Sequence, residues 1–279
     1  MADAAGPPPR GKNLLKVAGA LKKRALEERD EADANAEKKQ KHLAAIAKEW
    51  ICPITHELPI KPVTAEDGKI YEEKAIREWF GTKRVAKSPT TGADIGTGLL
   101  PAPQARNIIE ELIESGAIAG ELAEAWTEKL ADEKVVKEWR AKAEGGDGNA
   151  MYRLGYWYQE GLHGLAKDEV QARAWYELSA AERDPKGMAM FSSHLLRGIG
   201  GPQDNVFGVM NVTQAAELGS EYGAYLLGKA FMTGFWGLPK DPARSRFWLR
   251  KVVDDECAHK QLTDLARADA VECLRALGK

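Results

Sequence analysis

The sequence predicts a mainly α chain in which a small α+β domain, a hairpin plus helices, precedes an α-α solenoid of helical pairs. Two observations carry this. Between Trp50 and Ile113, short alternating segments meet at Asp67-Gly68 and then give way to helical periodicity; Asp-Gly between alternating segments is the strongest short-range hairpin signal. Further on, glycines recur at Gly161, Gly198 and Gly234, spaced by 37 and 36 residues, and aspartates at Asp168, Asp204 and Asp241. Independent landmarks sharing one period mark stacked helical pairs, because one such pair cannot bury its apolar faces alone.

In order along the chain, residues 1–48 form a Pro-rich head and a charged segment whose Ala, Lys, Glu and Arg content favours helix. Its apolar residues keep no heptad, so a solvated helix stands beside the alternative of a dimer-forming coiled coil. Residues 49–116 are the small domain. There the loop holding Cys52, Pro53 and Ile54 leads to Pro62-Val63-Thr64-Ala65, and the strand after the Asp67-Gly68 turn runs through Lys69-Ile70-Tyr71. From Glu72 to Phe80, Ala75, Ile76, Trp79 and Phe80 share one helical face, with Gly81 placed to end the helix. A second loop, Lys87 to Gly92, presents Pro89. Pro103 stands at the first turn of a further helix, whose apolar residues Ile108, Ile109, Leu112 and Ile113 stop at Ser115-Gly116.

These motifs, in this order, resemble the U-box, the zinc-free relative of the RING domain found in ubiquitin ligases. The resemblance covers about 65 residues: the C-P-I-T-x-E-L opening from Cys52, the E-D-G-x-x-Y-E hairpin from Glu66, A-I-x-x-W-F from Ala75, S-P-x-T-G from Ser88, and L-x-P…R-N-I-I ending at Ile109. It implies a RING-type ubiquitin transferase that forms no covalent intermediate and needs no cofactor or metal. Its partner would be a ubiquitin-conjugating enzyme charged with ubiquitin. Carried over residue by residue, docking falls to Ile54 and His56 on the first loop, Trp79 on the helix and Pro89 on the second loop. The residues themselves leave alternatives open. Trp79, three positions after Ile76, also fits a core site; His56 also fits a solvent-facing loop; and Cys52 reads as a small buried hydrophobe rather than a nucleophile. Two positions depart from the family pattern. The linchpin position, commonly Arg or Lys, is Gly92, and the Asn that commonly follows Leu-x-Pro is Ala102.

Residues 117–146 are a helical connector with Leu122, Trp126, Leu130, Val135, Val136 and Trp139 in one apolar stripe, ending at the Gly145-Gly146-Asp147-Gly148 turn. Residues 147–279 carry the period. Small residues at Gly155, Ser192 and Gly228 let paired helices cross closely, the glycines of the 36–37 period close each first helix, and the aspartates cap each second one. The aromatic position of the second helix reads Trp175, Asn211 and Trp248. The pattern from Ala150 to Gly161, followed by Lys167-Asp168, Ala172, Trp175-Tyr176 and Ala180-Ala181, resembles the Sel-one-like repeat, a relative of the tetratricopeptide repeat that serves as a protein-interaction scaffold. The second unit, from Gly187 to Ala216, is degenerate, and 252–277 supplies a capping helix.

Composition narrows the function further. A net charge of −2 with 29% charged residues gives no basic field for nucleic acid. The three cysteines, Cys52, Cys257 and Cys273, offer no C-x-x-C pair for zinc and suit a reducing compartment. No apolar run reaches membrane length. The expectation is a soluble cytoplasmic or nuclear ligase that holds a protein substrate on its repeats. Beside it stand a non-catalytic adaptor and a chaperone-linked ligase whose repeats grip a C-terminal carboxylate through Arg153 and Lys229.

Overall fold

The computed structural model describes residues 22–24, 29, 34–35, 38, 42, 45–82 and 85–278. The expected head at 1–11, and most of the segment in which a dimer-forming helix was in question, lie outside the described residues. The chain divides into two compact units, Met1–Glu128 and Lys129–Lys279, with the division inside the connector. Among the described residues, no helix is long and apolar enough to cross a membrane.

In the first unit, strands β1 (Pro62–Ala65), β2 (Ile70–Glu72) and β3 (Leu99–Pro101) form an antiparallel sheet in the order β2-β1-β3. Val63 lies opposite Tyr71 on one side and Pro101 on the other. The hairpin turns through Glu66, Asp67 and Gly68. Gly68 takes φ +74°, the left-handed conformation that closes a three-residue loop and that glycine adopts without a Cβ penalty. Strand β3 was not expected from the sequence; it is short, lacks alternation and includes a proline, which an edge strand tolerates because its outer N–H positions need no partner.

Helix α1 (Glu73–Gly81) follows β2 directly and lays Ile76 into a core with Cys52, Val63, Ala65 and Tyr71. Full burial of a residue such as Ile76, with no exposed surface, stabilises by about 1.5–3 kcal/mol. Gly81 is the last helical residue and not a left-handed cap. Thr82 keeps right-handed geometry, and its hydroxyl donates to the Trp79 carbonyl at 2.8 Å. Helix α2 (Pro103–Glu114) starts on its proline and buries Ala105, Ile109 and Leu112. Helix α3 (Glu121–Glu144) is the connector. Its apolar residues serve two cores rather than one neighbour: Trp126 is buried with its indole donating to the Pro59 carbonyl at 3.2 Å, whereas Val136 and Ala143 join a cluster with Met151, Leu154 and Trp157.

The second unit stacks helical pairs: α4 (Gly148–Glu160) with α5 (Glu169–Ala181), α6 (Pro185–Arg197) with α7 (Asn205–Glu217), and α8 (Glu221–Thr233) with α9 (Pro242–Val253). Gly161, Gly198 and Gly234 end the first helix of each pair in left-handed geometry. The carboxylates of Asp168, Asp204 and Asp241 accept the first free N–H groups of the second helices at 2.9–3.0 Å. Asp147, Asp184 and Ser220 cap the first helices in the same way. Close crossing demands the small residues. A Cβ on Gly155 would stand 2.7 Å from the Tyr176 ring, and one on Gly228 would stand 2.6 Å from Leu249. The terminal helix α10 (Asp264–Leu277) is shorter than the expected 252–277, because 254–263 run as a loop before it.

Candidate functional site

The two loops of the first unit are held by carboxylates of the hairpin. Glu72, at the end of β2, accepts the N–H groups of Ile60 at 2.7 Å and Lys61 at 3.1 Å, which fixes the exit of the first loop. Within that loop, the N–H of Cys52 donates to the Glu57 carbonyl and that of His56 to the Cys52 carbonyl. The Cys52 thiol is fully buried and its sulfur accepts the N–H of Glu72 at 3.3 Å. The residue is therefore a packing and acceptor group, with no exposed thiol.

Asp67 braces the second loop. Its Oδ2 accepts the Ser88 hydroxyl at 2.6 Å and the Tyr71 phenol at 2.8 Å, while Oδ1 accepts the N–H of Lys69. Burial alone would raise this carboxyl; the donors from Ser88, Lys69 and Tyr71 outweigh it and hold Asp67 below its ordinary value. Burial first, with the adjacent Asp67 charge, pushes Tyr71 up to about 12, so the phenol remains a donor. Ser88 is itself 1% exposed and accepts from the N–H groups of Thr90 and Thr91, turning the chain sharply after it. A further carboxylate, Glu66, accepts the N–H of Gly96 at 2.8 Å. Among the described residues, no three His, Cys, Asp or Glu side chains gather as a metal site. Hydrogen bonds hold the two loops.

The sequence-selected residues sit on this frame as follows. Ile54 is half-buried, packed on the core of Cys52, Val63, Ala65, Tyr71 and Ile76. Trp79 is half-buried against the same core, and its indole donates to the Lys87 carbonyl at 2.8 Å, tying α1 to the second loop. Trp79 thus packs on the core, as the core alternative expects, while part of its side chain stays at the surface. Pro89 is half-buried on the second loop. His56 is exposed with φ +58°, a left-handed residue at the bend of the first loop. Gly92 is exposed with φ +72°, and its N–H donates to the Ser88 carbonyl at 3.0 Å. The turn itself therefore favours glycine there, which the sequence alone did not reveal. Ala102 supplies no side-chain brace, but its N–H donates to the Pro62 carbonyl at 2.9 Å.

Comparison with known proteins finds a repeat family and short stretches of similarity to larger proteins. The family model of the Sel1 repeat matches residues 148–184, 185–220 and 222–252. These three stretches are Sel1 repeats. A 68-residue stretch of the chain is 38% identical to a putative E3 ubiquitin-protein ligase LIN of Medicago truncatula, covering 24% of this chain and 4% of that protein. A 52-residue stretch is 46% identical to a WD repeat, SAM and U-box domain-containing protein of Danio rerio, covering 19% of this chain and 10% of that one. The chain therefore spans only a small part of the length of these relatives. Among solved structures, a Sel1 repeat protein from Oxalobacter formigenes aligns with 18% identity and a TM-score of 0.43, over 55% of this chain and 74% of that one.

Within the Sel1 repeats, Trp157, Tyr176, Phe191, Phe231 and Trp248 are buried, Tyr156, Phe207, Phe235 and Phe247 are exposed, and the other aromatic residues are half-buried. Tyr176 has no exposed surface, Trp157 is 6% exposed and Trp248 9%. The cations singled out for a carboxylate grip fare differently. Lys229 is committed to Asp269 of α10 at 2.9 Å, with the Tyr225 phenol on the same carboxylate. Arg153 is exposed and lies over the Trp139 ring. The buried carboxylate of Glu221 escaped the sequence reading. It has no exposed surface, accepts the N–H groups of Gln261 and Leu262 at 2.9 and 3.0 Å, and pairs with Arg267 at 2.8 Å. Burial opposes its charge, but Arg267 and the two N–H donors prevail and hold it below the ordinary glutamate value.

Proposed function

We propose that the chain is a U-box ubiquitin-protein ligase. Its first unit docks a conjugating enzyme charged with ubiquitin through Ile54, His56, Trp79 and Pro89, and its Sel1 repeats, a protein-interaction scaffold, hold the protein whose lysine is modified. The observation that carries this reading is the hydrogen-bond bracing of two loops by Asp67 and Glu72, which keeps half-buried apolar residues at the surface of a well-fixed frame. Apolar anchors ringed by polar groups suit a small, transient interface. The names of the short-matching relatives from Medicago truncatula and Danio rerio support the same reading.

The chemistry asked of such a unit is positioning. Cys52 is fully buried, so ubiquitin passes from the conjugating enzyme's thioester directly to the lysine nitrogen. The ligase contributes by holding donor and acceptor in reach, the entropic part of catalysis. The test is self-ubiquitination of the full chain with activating enzyme, ubiquitin and a panel of conjugating enzymes. Ligation with at least one partner, falling sharply in Ile54→Ala and Pro89→Ala while thermal stability holds, is the expected result. A folded chain inactive across the panel overturns the reading.

A second reading, a non-catalytic adaptor, is favoured by Gly92, where a family ligase commonly carries a cation. Since Gly92 is left-handed, an arginine there would be strained. The exposed neighbour Ala93 is the better place to supply the charge. Activity gained by Ala93→Arg from an inactive chain would favour the adaptor reading.

A further inference from the structure

The second Sel1 repeat has lost a tryptophan, and its socket stands open. Trp175 of α5 packs against the cluster that includes Ala143 and Met151, and Trp248 of α9 belongs to the cluster that includes Ala216 and Ala224. By the same period the equivalents in the middle unit are Ala180 and Met188, facing Asn211. Asn211 does not fill the space: its side chain turns back and donates to the Phe207 carbonyl one turn earlier, at 3.0 Å. What remains is a cleft of about 390 Å³ lined by Ala180, Arg183, Met188, Asn211, Gln214 and Glu217, with Leu218 at its edge.

A second, independent departure lines the same cleft. Arg183 stands in the turn before α6 at the position that Gly146 takes before α4 and Gly219 takes before α8. All three N–H groups make the same turn, donating to the carbonyls of Ala180, Ala143 and Ala216 at 2.9, 3.0 and 3.1 Å. All three are left-handed, with φ +58° for Arg183 against +89° and +88° for the glycines. One period further on, the turn after α9 also carries a side chain on left-handed backbone, Asp255 at φ +61°, so Arg183 is set apart by bringing a cation to the cleft. Among the described residues the Arg183 guanidinium has no ion-pair partner, and the exposed Gln214 and Glu217 side chains also stand without hydrogen bonds at the rim.

We propose that this cleft takes a tryptophan side chain from a partner protein segment that carries an acidic residue beside it. The flanking units show that an indole fits between these helices. Met188 offers sulfur to the ring, Glu217 or Gln214 can accept the indole N–H, and Arg183 stacks on the aromatic face or pairs with the neighbouring carboxylate. The open mouth suits a side chain delivered by a larger protein surface better than a small molecule, which needs to be mostly enclosed. The inference concerns the repeats alone. It stands whether or not the first unit transfers ubiquitin, because binding and transfer are read in separate experiments.

The test is fluorescence anisotropy of the full chain with a labelled short peptide bearing Glu-Trp at its centre, and with the same peptide in which Ala replaces Trp. The wild type is expected to bind the Trp peptide about tenfold tighter or better, the effect of one buried aromatic anchor. Asn211→Trp supplies the missing indole from within. It is expected to abolish that preference while melting at the same temperature or higher. Arg183→Gly, the residue that stands in the turns before α4 and α8, is expected to keep the melting temperature and weaken binding severalfold. Arg183→Gly also decides the matter if Asn211→Trp fails to fold. Equal binding of the two peptides by the wild type, or an undiminished preference in both folded variants, overturns the proposal. So does self-association of the chain that Asn211→Trp abolishes, which would make a second copy the occupant.

Discussion

The two units are stabilised by different means. In the first, with few fully buried residues, Asp67 and Glu72 reach across the sequence to fasten loops, and the brace from Asp67 to Ser88 spans 21 positions. In the second, each helical pair buries leucines and aromatics against the next. Polar groups there act both as local caps and as links between packed helices, such as the Ser179 hydroxyl donating to the Gly148 carbonyl and the Ser245 hydroxyl to the Gly228 carbonyl. Glu221 makes one such link with a fully buried carboxylate, 40 residues from Gln261. The first unit uses its braces to fasten loops, whereas the second uses its longer links to join helices that already pack on one another.

The largest expected effect falls on the buried carboxylate link. Glu221→Ala removes a buried acceptor and leaves Arg267 and two N–H groups unpaired, which costs about 3 kcal/mol or more. Hydrogen exchange should show 254–277 losing protection while α4 to α7 keep theirs. Next, Asp67→Ala strips the partner from the buried Ser88 and Tyr71 hydroxyls, at about 2–3 kcal/mol. Protection should fall over 62–72 and 86–96 and remain in the repeats. If the repeats also opened, the units would be less separate than their bonding suggests. Gly155→Ala drives a methyl into the Tyr176 ring and is expected to cost about 1–3 kcal/mol, confined to the repeats. Asp168→Ala removes one helix cap and is expected to cost about 1 kcal/mol.

Acid should separate the units as well. His194 is buried, which lowers its folded value below 6.5, the value in the unfolded chain. The unfolded chain therefore takes up the proton first, and the repeats lose stability as pH falls below about 6.5, until the folded value is passed. In the first unit the depressed group is Asp67. Its contribution is complete above the unfolded value of 3.8 and disappears only as pH falls through the lower folded value. Melting followed between pH 7 and 5 should thus weaken the repeats before the first unit, and His194→Gln should flatten that slope.

How much of this was legible in the sequence follows the range of the interactions. The caps at Asp168, Asp204 and Asp241 and the closures at Gly161, Gly198 and Gly234 are local chemistry, so the period exposed them. The hairpin at Asp67-Gly68 is local too, and the structure has it. Strand β3 was missed because Leu99–Pro101 has no pattern of its own and exists only by pairing with β1. The Asp67–Ser88 and Glu221–Gln261 braces join residues too distant for any spacing rule. At the candidate docking surface, the identities of Ile54, Trp79 and Pro89 were readable from motif order, whereas the left-handed backbone at His56 and Gly92 was not. Arg183 could have been found: aligned on the 36–37 residue period, it stands in a column with Gly146 and Gly219.

The measurement that tests the account most directly is single-turnover discharge of ubiquitin from a charged conjugating enzyme to free lysine, which needs no bound substrate and so reads the first unit alone. The full chain should accelerate discharge, Ile54→Ala should lower that acceleration about tenfold or more, and Asp168→Ala in the repeats should leave it unchanged. A folded chain that does not accelerate discharge, or one in which Ile54→Ala matches the wild type, would contradict the assignment of ubiquitin transfer to the carboxylate-braced loops.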